Sequence, residues 1–197
     1  NPSTLKYYNY SFYNKRMLTN NVLCLHIDKS GRLRVGTEGG GIYLYNRQND
    51  RFEEKNQEYN IPGDMVGSIE EDKNGNLWMT SSEVNHAVLV LDKAGAWHRL
   101  DIEQLRGVYT INDILITSTN DKWIYVPRNT PKLVMIPNSE SLDEVSSYEF
   151  TTLIDTDGKE LTPSNYTCVA EDKDGYIWVG TNRGAVYFTK PRISSAE

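Results

Sequence analysis

The sequence is poor in the features that mark several large classes of protein. Its 197 residues include two cysteines and three histidines, and its 21 basic residues are outnumbered by 27 acidic ones. The net charge of −6 argues against a nucleic-acid partner, because phosphate binding needs clustered Lys and Arg. No apolar run approaches the roughly 20 residues of a membrane helix, so we expect no membrane insertion within this segment.

The start of the chain shows no secretory leader. It opens with NPSTLKYYNY and has no initiator Met. We therefore expect an excised piece of a longer protein, whose leader or membrane span would lie outside this segment. An apolar share of 38% and a charged share of 24% are typical of a globular chain.

Spacings that would indicate a catalytic, metal or nucleotide site are also missing. His26, His86 and His98 share no metal-ligand spacing, and the two cysteines form no C-x-x-C pair. The glycines at 39–41 lack the Lys-Ser/Thr that follows them in a phosphate-binding loop. No G-x-S-x-G motif occurs. We predict no catalytic residue, no metal and no cofactor.

The chain does contain a phrase that occurs four times. The copies are IDKSGRLRVGT at 27–37, EDKNGNLWMTS at 71–81, a worn TSTNDKWIYVP at 117–127 and EDKDGYIWVGT at 171–181. When they are aligned on Arg34, Trp78, Trp123 and Trp178, successive copies lie 44, 45 and 55 residues apart. A fixed period of this length indicates a repeat architecture.

Each copy predicts a strand, a tight turn and a second strand. Gly31, Gly75 and Gly175 suit the positive φ that such turns require. The Asp-rich turns at Asp155 and Asp172 lack the closing Glu of an EF-hand loop, which favours a turn over a calcium site. Two more strands complete each repeat. Four antiparallel strands per 40 to 55 residues are typical of a β-propeller blade, so we predict an all-β fold.

The repeats predict one β-propeller over residues 1–197, with about four blades. The approximate blades are 14–56, 57–102, 103–154 and 155–197, with a strand at 5–13 completing the last or a missing blade. Two arrangements fit: a partial arc of a larger propeller, or a small closed ring. We favour the arc, because rings with more blades are common. An open arc would expose apolar faces and invite self-association.

Residues that recur in register are interpreted as structural. We expect Trp78, Trp123 and Trp178 to pack between blades, because an aromatic at the same repeat position normally does so. Cys24 and Cys168 also occupy matching positions, ten residues before Arg34 and Trp178. Small side chains on an inner strand explain them better than a disulfide does.

Residues that depart from the repeat are the better candidates for function. Trp97 breaks the register of the repeated Trp residues and lies on an outer strand beside His98. Longer departures from the repeat occur at 81–87, 103–108 and 137–147. Loops carried by a rigid scaffold often bind ligands. The candidate contact residues are Trp97, His98, Glu83, Asn85, His86 and Arg106.

The repeated phrase resembles that of the two-component regulator propeller repeat family, D-x-x-G-x-[LI]-W-[IV]-G-T followed by a Gly-rich turn. The match is best at 171–188 and 71–81, and it is good at 27–46, although Arg34 replaces the aromatic. It fails in the third copy, where no Gly follows Asn120.

The resemblance implies a non-catalytic periplasmic or cell-surface propeller of hybrid histidine kinases, which often sense oligosaccharides. A second implication, from the propeller protein of type IX secretion, is a scaffold with protein partners. A propeller lyase is a third alternative, against which the lack of clustered His, Glu and Lys weighs. The expected partners are an oligosaccharide and either a second copy or adjacent blades of the same protein. The full-length protein could also carry a histidine kinase region.

Overall fold

A computed structural model describes most of the chain, and the strand expected at 5–13 lies outside the described residues. The described residues are 19–54, 65–83, 85–109, 111, 113–127, 130–139, 141–154 and 157–188. They form seventeen β-strands and one short 3₁₀ turn at Glu103–Leu105. The prediction of an all-β fold is confirmed.

Four antiparallel sheets follow one another along the chain, and we call them blades one to four. Blade one contains β1 (Val22–Ile27), β2 (Leu33–Thr37), β3 (Ile42–Asn46) and β4 (Arg51–Glu54). Blade two contains β5 (Val66–Glu71), β6 (Leu77–Ser81), β7 (Val88–Leu91) and β8 (Trp97–Leu100). Blade three contains β9 (Asp113–Ile116), β10 (Lys122–Val126), β11 (Lys132–Ile136) and β12 (Tyr148–Glu149).

The hairpin of β13 (Leu153–Ile154) and β14 (Glu160–Leu161) comes before the fourth blade. Blade four has three described strands, β15 (Tyr166–Glu171), β16 (Ile177–Thr181) and β17 (Gly184–Phe188). Within each blade, strands that follow one another in sequence are hydrogen-bonded neighbours.

The core lies between the blades, where alternate residues of facing strands meet. Trp78 and Val90 of blade two pack in one cluster with Ile114 and Ile124 of blade three. In the next gap, Trp123 packs with residues of blade four and is 1% exposed. Trp78 and Trp123 therefore pack between blades, as predicted. This packing removes their apolar surface from water, which stabilises the contact between neighbouring blades.

Large apolar side chains are exposed on the first and last blades. Trp178 of blade four is 40% exposed and stacks on Tyr187 at 4.9 Å between ring centroids. At the other end, Leu25 and Ile27 of β1 are 67% and 68% exposed, whereas Val35 and Tyr43 on the same face of blade one are each 1% exposed. We call the row of described blades the arc. At its end, Trp178 is more exposed than Trp78 and Trp123.

A recurrent hydrogen-bond pattern, which we call the Asp turn, closes the inner hairpins of blades one, two and four. In blade two, one oxygen of Asp72 accepts the backbone N–H groups of Asn74 and Asn76 at 2.9 and 2.8 Å. The other oxygen accepts Trp78 Nε1–H at 3.0 Å. In blade one, Arg34 takes the place of the Trp and still donates, with Nε 3.3 Å from Asp28 Oδ2. Arg34 therefore lacks the aromatic ring of the other copies but still supplies the side-chain N–H donor of the turn.

The same Asp turn occurs a further time, in the outer hairpin of blade two. Asp92 accepts the backbone N–H groups of Ala94 and Ala96, both at 2.8 Å, and lies 3.0 Å from His98 Nε2. Gly95 has the positive φ of 91° that this turn requires. His98 therefore holds the donor position of this turn, as Trp78 does in the inner turn of the same blade.

Lys122 of blade three joins the Asp turn of blade two. It is 1% exposed, and its Nζ lies 3.7 Å from Asp72 Oδ2 and 4.6 Å from the centre of the Trp78 ring. Burial lowers the pKa of Lys122, and the Asp72 carboxylate opposes that shift. Burial alone would raise the pKa of Asp72, yet the hydrogen bonds it accepts lower it. A buried ion pair thus connects two blades.

Candidate functional site

Each blade has two ends. The inner hairpin turns, and the outer turn that begins at Asp92, lie at one end of the strands because the strands alternate in direction. We call this the turn end. The connections that contain 82–87 and 101–109 lie at the opposite, loop end.

A groove at the turn end brings His98 together with the 137–147 excursion. It encloses about 710 Å³. We call it the His98 groove. Its lining consists of Asn74, Asn76, Asp92, Lys93, Ala94, His98, Ser141, Leu142 and Asp143. Leu142 anchors the excursion by packing against the core between blades two and three. The longest departure from the repeat therefore forms a wall of a groove whose other wall is made of regular turns.

The imidazole of His98 lies between two carboxylates. Its Nε2 is 3.0 Å from Asp92 Oδ2, and its Nδ1 is 3.9 Å from Asp143 Oδ1. The hydrogen bond from His98 is the main cause that lowers the pKa of Asp92. The side chain of Asp143 is 90% exposed, so solvent screens its attraction to the ring. With Asn74 and Lys93, the groove offers both donors and acceptors of hydrogen bonds.

Glu83, Asn85 and His86 share one turn at the loop end. His86 N donates to Glu83 O at 3.3 Å, and its ring Nδ1 lies 3.6 Å from Glu83 Oε1. Asn85 has a positive φ of 70°, a conformation that Asn tolerates better than most residues. Arg99, which the sequence did not single out, contributes a cation 3.7 Å from Glu83 Oε2.

Arg106 forms a separate ion pair. Its Nε and Nη2 donate to the two oxygens of Asp101 at 2.8 and 2.6 Å. The hydrogen bond raises the pKa of Arg106 and lowers that of Asp101. Since both side chains are about half exposed, the pair adds little stability.

The six candidate residues do not form one site. His98 lies at the turn end, whereas Glu83, Asn85 and His86 lie together at the loop end. Trp97 is half-buried and packs against the cluster that contains Leu77 and Leu91, so it is not part of the His98 groove. Its side chain points to the face of β8 opposite that of His98.

The inner strands carry a small polar cluster. Ser68 Oγ donates to Asp113 Oδ1 at 2.8 Å. Burial and the Asp113 charge raise the pKa of Glu70. Burial also raises the pKa of the Cys24 thiol to about 11, so it remains protonated at neutral pH and is a poor nucleophile. Cys24 and Cys168 are both free thiols, as the structural interpretation expected.

No cluster of three or more His, Cys, Asp or Glu residues suited to a metal ion occurs within the described ranges. In the same part of the chain, no helix is long and apolar enough to span a bilayer.

Sequence comparison links the repeated phrase to a known family. The profile of the family described as two component regulator propeller matches residues 60–83 and 160–183. Two segments of this chain are therefore similar to two-component regulator propeller repeats. The matched segments contain the inner hairpins of blades two and four, the two copies that fit the motif best. The resemblance seen in the sequence is confirmed.

Solved structures show the same architecture. PorZ, a surface component of the type-IX secretion system of Porphyromonas gingivalis, has a TM-score of 0.70 and 18% identity over 85% of this chain. The extracellular domain of a hybrid two-component system from B. thetaiotaomicron has a TM-score of 0.65 and 18% identity over 94%. The chain spans 24% of the length of each of these two structures.

A third similar structure is virginiamycin B lyase from Staphylococcus aureus, with a TM-score of 0.59 and 21% identity over 86% of this chain and 56% of the lyase. At these identities the likeness establishes the fold alone. Among curated protein sequences, none matches the chain.

Proposed function

We propose that this chain is a non-catalytic, ligand-binding part of the extracytoplasmic propeller of a two-component signalling protein. The repeats at 60–83 and 160–183 support the family, and similar structures include extracellular domains of two-component systems. Both observations favour a periplasmic or cell-surface location. The single observation that supports ligand binding is the His98 groove, where the 137–147 excursion meets the repeated turns.

An oligosaccharide is the ligand class that suits this groove. Its volume of about 710 Å³ falls within the range of roughly 300 to 1,000 Å³ typical of ligand sites. The Asn74 amide can donate to and accept from hydroxyl groups, and the Asp143 carboxylate can accept from them. Lys93 and His98 add donors, so several sugar hydroxyls would find partners.

The exposed end faces support neighbouring blades as partners. Inside the arc, the face that carries Trp78 packs on an apolar face of the next blade. Trp178 presents the same kind of face, and Leu25 and Ile27 are exposed on the aliphatic face of blade one. We infer that further blades of the same protein cover both ends, or that a second copy does so when they are absent.

Binding to the complete protein tests the sensor function. A glycan array should identify a ligand, and titration calorimetry should then show that Asn74→Ala and Asp143→Ala each weaken binding about tenfold or more, which corresponds to about 1.4 kcal/mol. Arg106→Ala is the matched control, because Arg106 lies away from the His98 groove and should leave the affinity unchanged. An array and calorimetry that detect no binding would reject the sensor function.

A scaffold in secretion or surface assembly is the second candidate function. The open aromatic face of Trp178 and Tyr187 favours it, because exposed apolar patches often mark protein contacts. Light scattering on the full-length protein separates the two candidates. A scaffold should form a stoichiometric assembly through these faces without any glycan, whereas a sensor whose own blades cover the faces should remain monomeric until it binds a ligand.

A further inference from the structure

Neighbouring blades are joined at the turn end by a recurrent hydrogen bond, which we call the turn bridge. Its donor is the backbone N–H of the residue that follows the first residue of an inner turn, and its acceptor is a side chain of the next blade. The three described contacts between blades all contain it: Lys29 N donates to Glu71 Oε2 at 2.6 Å, Lys73 N to Asn120 Oδ1 at 2.9 Å, and Ser118 N to Glu171 Oε2 at 2.6 Å.

A lysine at the donor position adds a second contact with the next blade. Lys29 Nζ donates to the backbone oxygen of Asp72 at 2.6 Å and lies 3.7 Å from Glu71 Oε1. Lys73 Nζ donates to the backbone oxygen of Ser118. The side chain of Glu71 is only 12% exposed, so solvent screens its attraction to Lys29 incompletely. Where Lys faces Glu, one carboxylate therefore meets both the backbone N–H and the ammonium group of the same lysine.

Blade four presents the donor half of a turn bridge. Lys173 follows Asp172 in its inner turn, as Lys29 follows Asp28 in blade one. Among the described residues, neither the backbone N–H nor the Nζ of Lys173 has a hydrogen-bond or ion-pair partner. Trp178 of the same blade is 40% exposed. The blade thus combines an exposed aromatic side chain with a donor and a positive charge that are both unused.

Blade one lacks the acceptors that the other blades use. The Glu acceptors of blades two and four immediately precede their turns, and Ile27 stands at that position in blade one. The acceptor of blade three is Asn120 within its turn, and Gly31 stands at that position in blade one. If blade one covered blade four, Lys173 would lack the acceptor that each described contact supplies, which is unfavourable. This holds for closure of the chain on itself and for a second copy.

We propose that blade four docks a further blade of the same protein whose inner turn is preceded by Glu, and that this carboxylate accepts the Lys173 N–H and pairs with its ammonium group. The proposal rests on the neighbouring blades inferred above as partners and adds what the adjoining blade carries. Glu suits the position better than Asn because it also balances the charge of Lys173, as Glu71 does for Lys29. Complementary charges select a partner and fix its register more than they raise affinity. The turn bridge therefore favours this blade over blade one of a second copy.

Carbodiimide cross-linking of the full-length protein tests the proposal, because this reagent joins a Lys amine to a carboxylate in direct contact. Lys29 and Glu71 provide an internal standard, since Nζ and Oε1 lie 3.7 Å apart. Mass spectrometry should also find Lys173 joined to a Glu that immediately precedes an inner turn of another blade. A mixture of isotope-labelled and unlabelled protein should show that this link lies within one molecule. Lys173→Arg keeps the cation but removes the reactive amine, so it should abolish this link and leave the Lys29–Glu71 link intact.

Amide hydrogen exchange tests the backbone part of the turn bridge. Replacing the linked Glu by Ala should speed exchange of the Lys173 N–H at least about tenfold, because its acceptor is lost. Replacing it by Gln keeps an acceptor oxygen and should preserve most of the protection. Unchanged exchange in the Ala variant, a link from Lys173 to a second copy, or no Lys173 link where the Lys29–Glu71 link forms would each overturn the proposal.

Oxidative footprinting of Trp178 in the full-length protein separates this proposal from the proposed function. Protection of Trp178 without a Lys173 link would keep a neighbouring blade as the partner and reject the turn bridge. An oxidised Trp178 together with an unlinked Lys173 would reject both. Glycan binding is measured independently of either result, so a failure of the sensor function would leave the Lys173 link unaffected.

Discussion

Removing the Asp72 carboxylate should destabilise the arc more than any other single truncation of a turn residue. Asp72 accepts hydrogen bonds from Asn74, Asn76 and Trp78, and it balances the charge of Lys122. Asp72 and Lys122 are each 1% exposed, so solvent cannot replace the lost partner. Breaking a buried ion pair by removing one member costs about 3–5 kcal/mol. Because domains are stable by only about 5–15 kcal/mol, Asp72→Ala should leave a marginal fold.

Lys122→Leu is the matched control. It removes the other member of the pair, but the carboxylate of Asp72 keeps its N–H donors. Leu77 and Ile177 show that an aliphatic side chain fits this position of the repeat. We expect a loss smaller than that in Asp72→Ala, because the N–H groups still bonded to the buried carboxylate stabilise its charge.

The double variant decides whether the charge of Lys122 causes the loss. In Asp72→Ala with Lys122→Leu no ammonium group remains buried, so the double variant should be about 1–3 kcal/mol more stable than Asp72→Ala alone. Urea unfolding followed by circular dichroism at neutral pH measures all four proteins, since urea does not screen the ion pair as guanidinium chloride would. Strict additivity, or an equal loss in the two single variants, would refute this reasoning.

Three further predictions concern other parts of the arc. Burial would raise the pKa of Asp28, but the hydrogen bonds that it accepts lower it from 3.8 to about 2. The folded state should therefore gain about 2 kcal/mol of stability above pH ~4, and this gain should be lost as the pH falls to ~2. Acid unfolding of Asp28→Asn should depend less on pH than that of the unsubstituted chain, and parallel curves would contradict this. Gly36→Ala should cost about 1–3 kcal/mol in urea unfolding, because its methyl would lie 2.5 Å from a backbone oxygen of blade two, whereas Gly180→Ala meets only side-chain atoms at its nearest approach of 2.6 Å and should cost less. Leu25→Asp and Trp178→Ser should each reduce concentration-dependent association in light scattering, and unchanged association would show that these faces are not responsible.

The fold could be predicted from the sequence because the same strand-turn-strand pattern occurs several times along the chain. A strand, a D-K-x-G turn and a second strand at a period near 45 residues determine the blade. The further turn at 92–95 carried the same D-K-x-G signal. This turn is hard to recognise in the sequence because its seventh position holds His98, where the best-matching copies have Trp78 and Trp178. What the position requires is an N–H donor, and Trp, Arg and His can each supply it.

The candidate site was harder to predict because it depends on which end and which face of a strand each residue occupies. Trp97 and His98 are adjacent in sequence, but they point to opposite faces of β8. Glu83, His86 and Arg106 were candidates together, but Glu83 pairs with His86 and Arg99, and Arg106 pairs with Asp101.

The unlike end faces of the arc have a consequence for symmetry. Each contact between blades joins the Trp side of one blade to the aliphatic side of the next, so it is a head-to-tail contact that leaves a new free side whenever it forms. The residues that form such a contact do not determine how many blades the propeller has. Their number must be set by the rotation from one blade to the next, which determines whether the series closes on itself or continues. Small changes in that angle would alter the size of a ring without any change in the residues that hold neighbouring blades together.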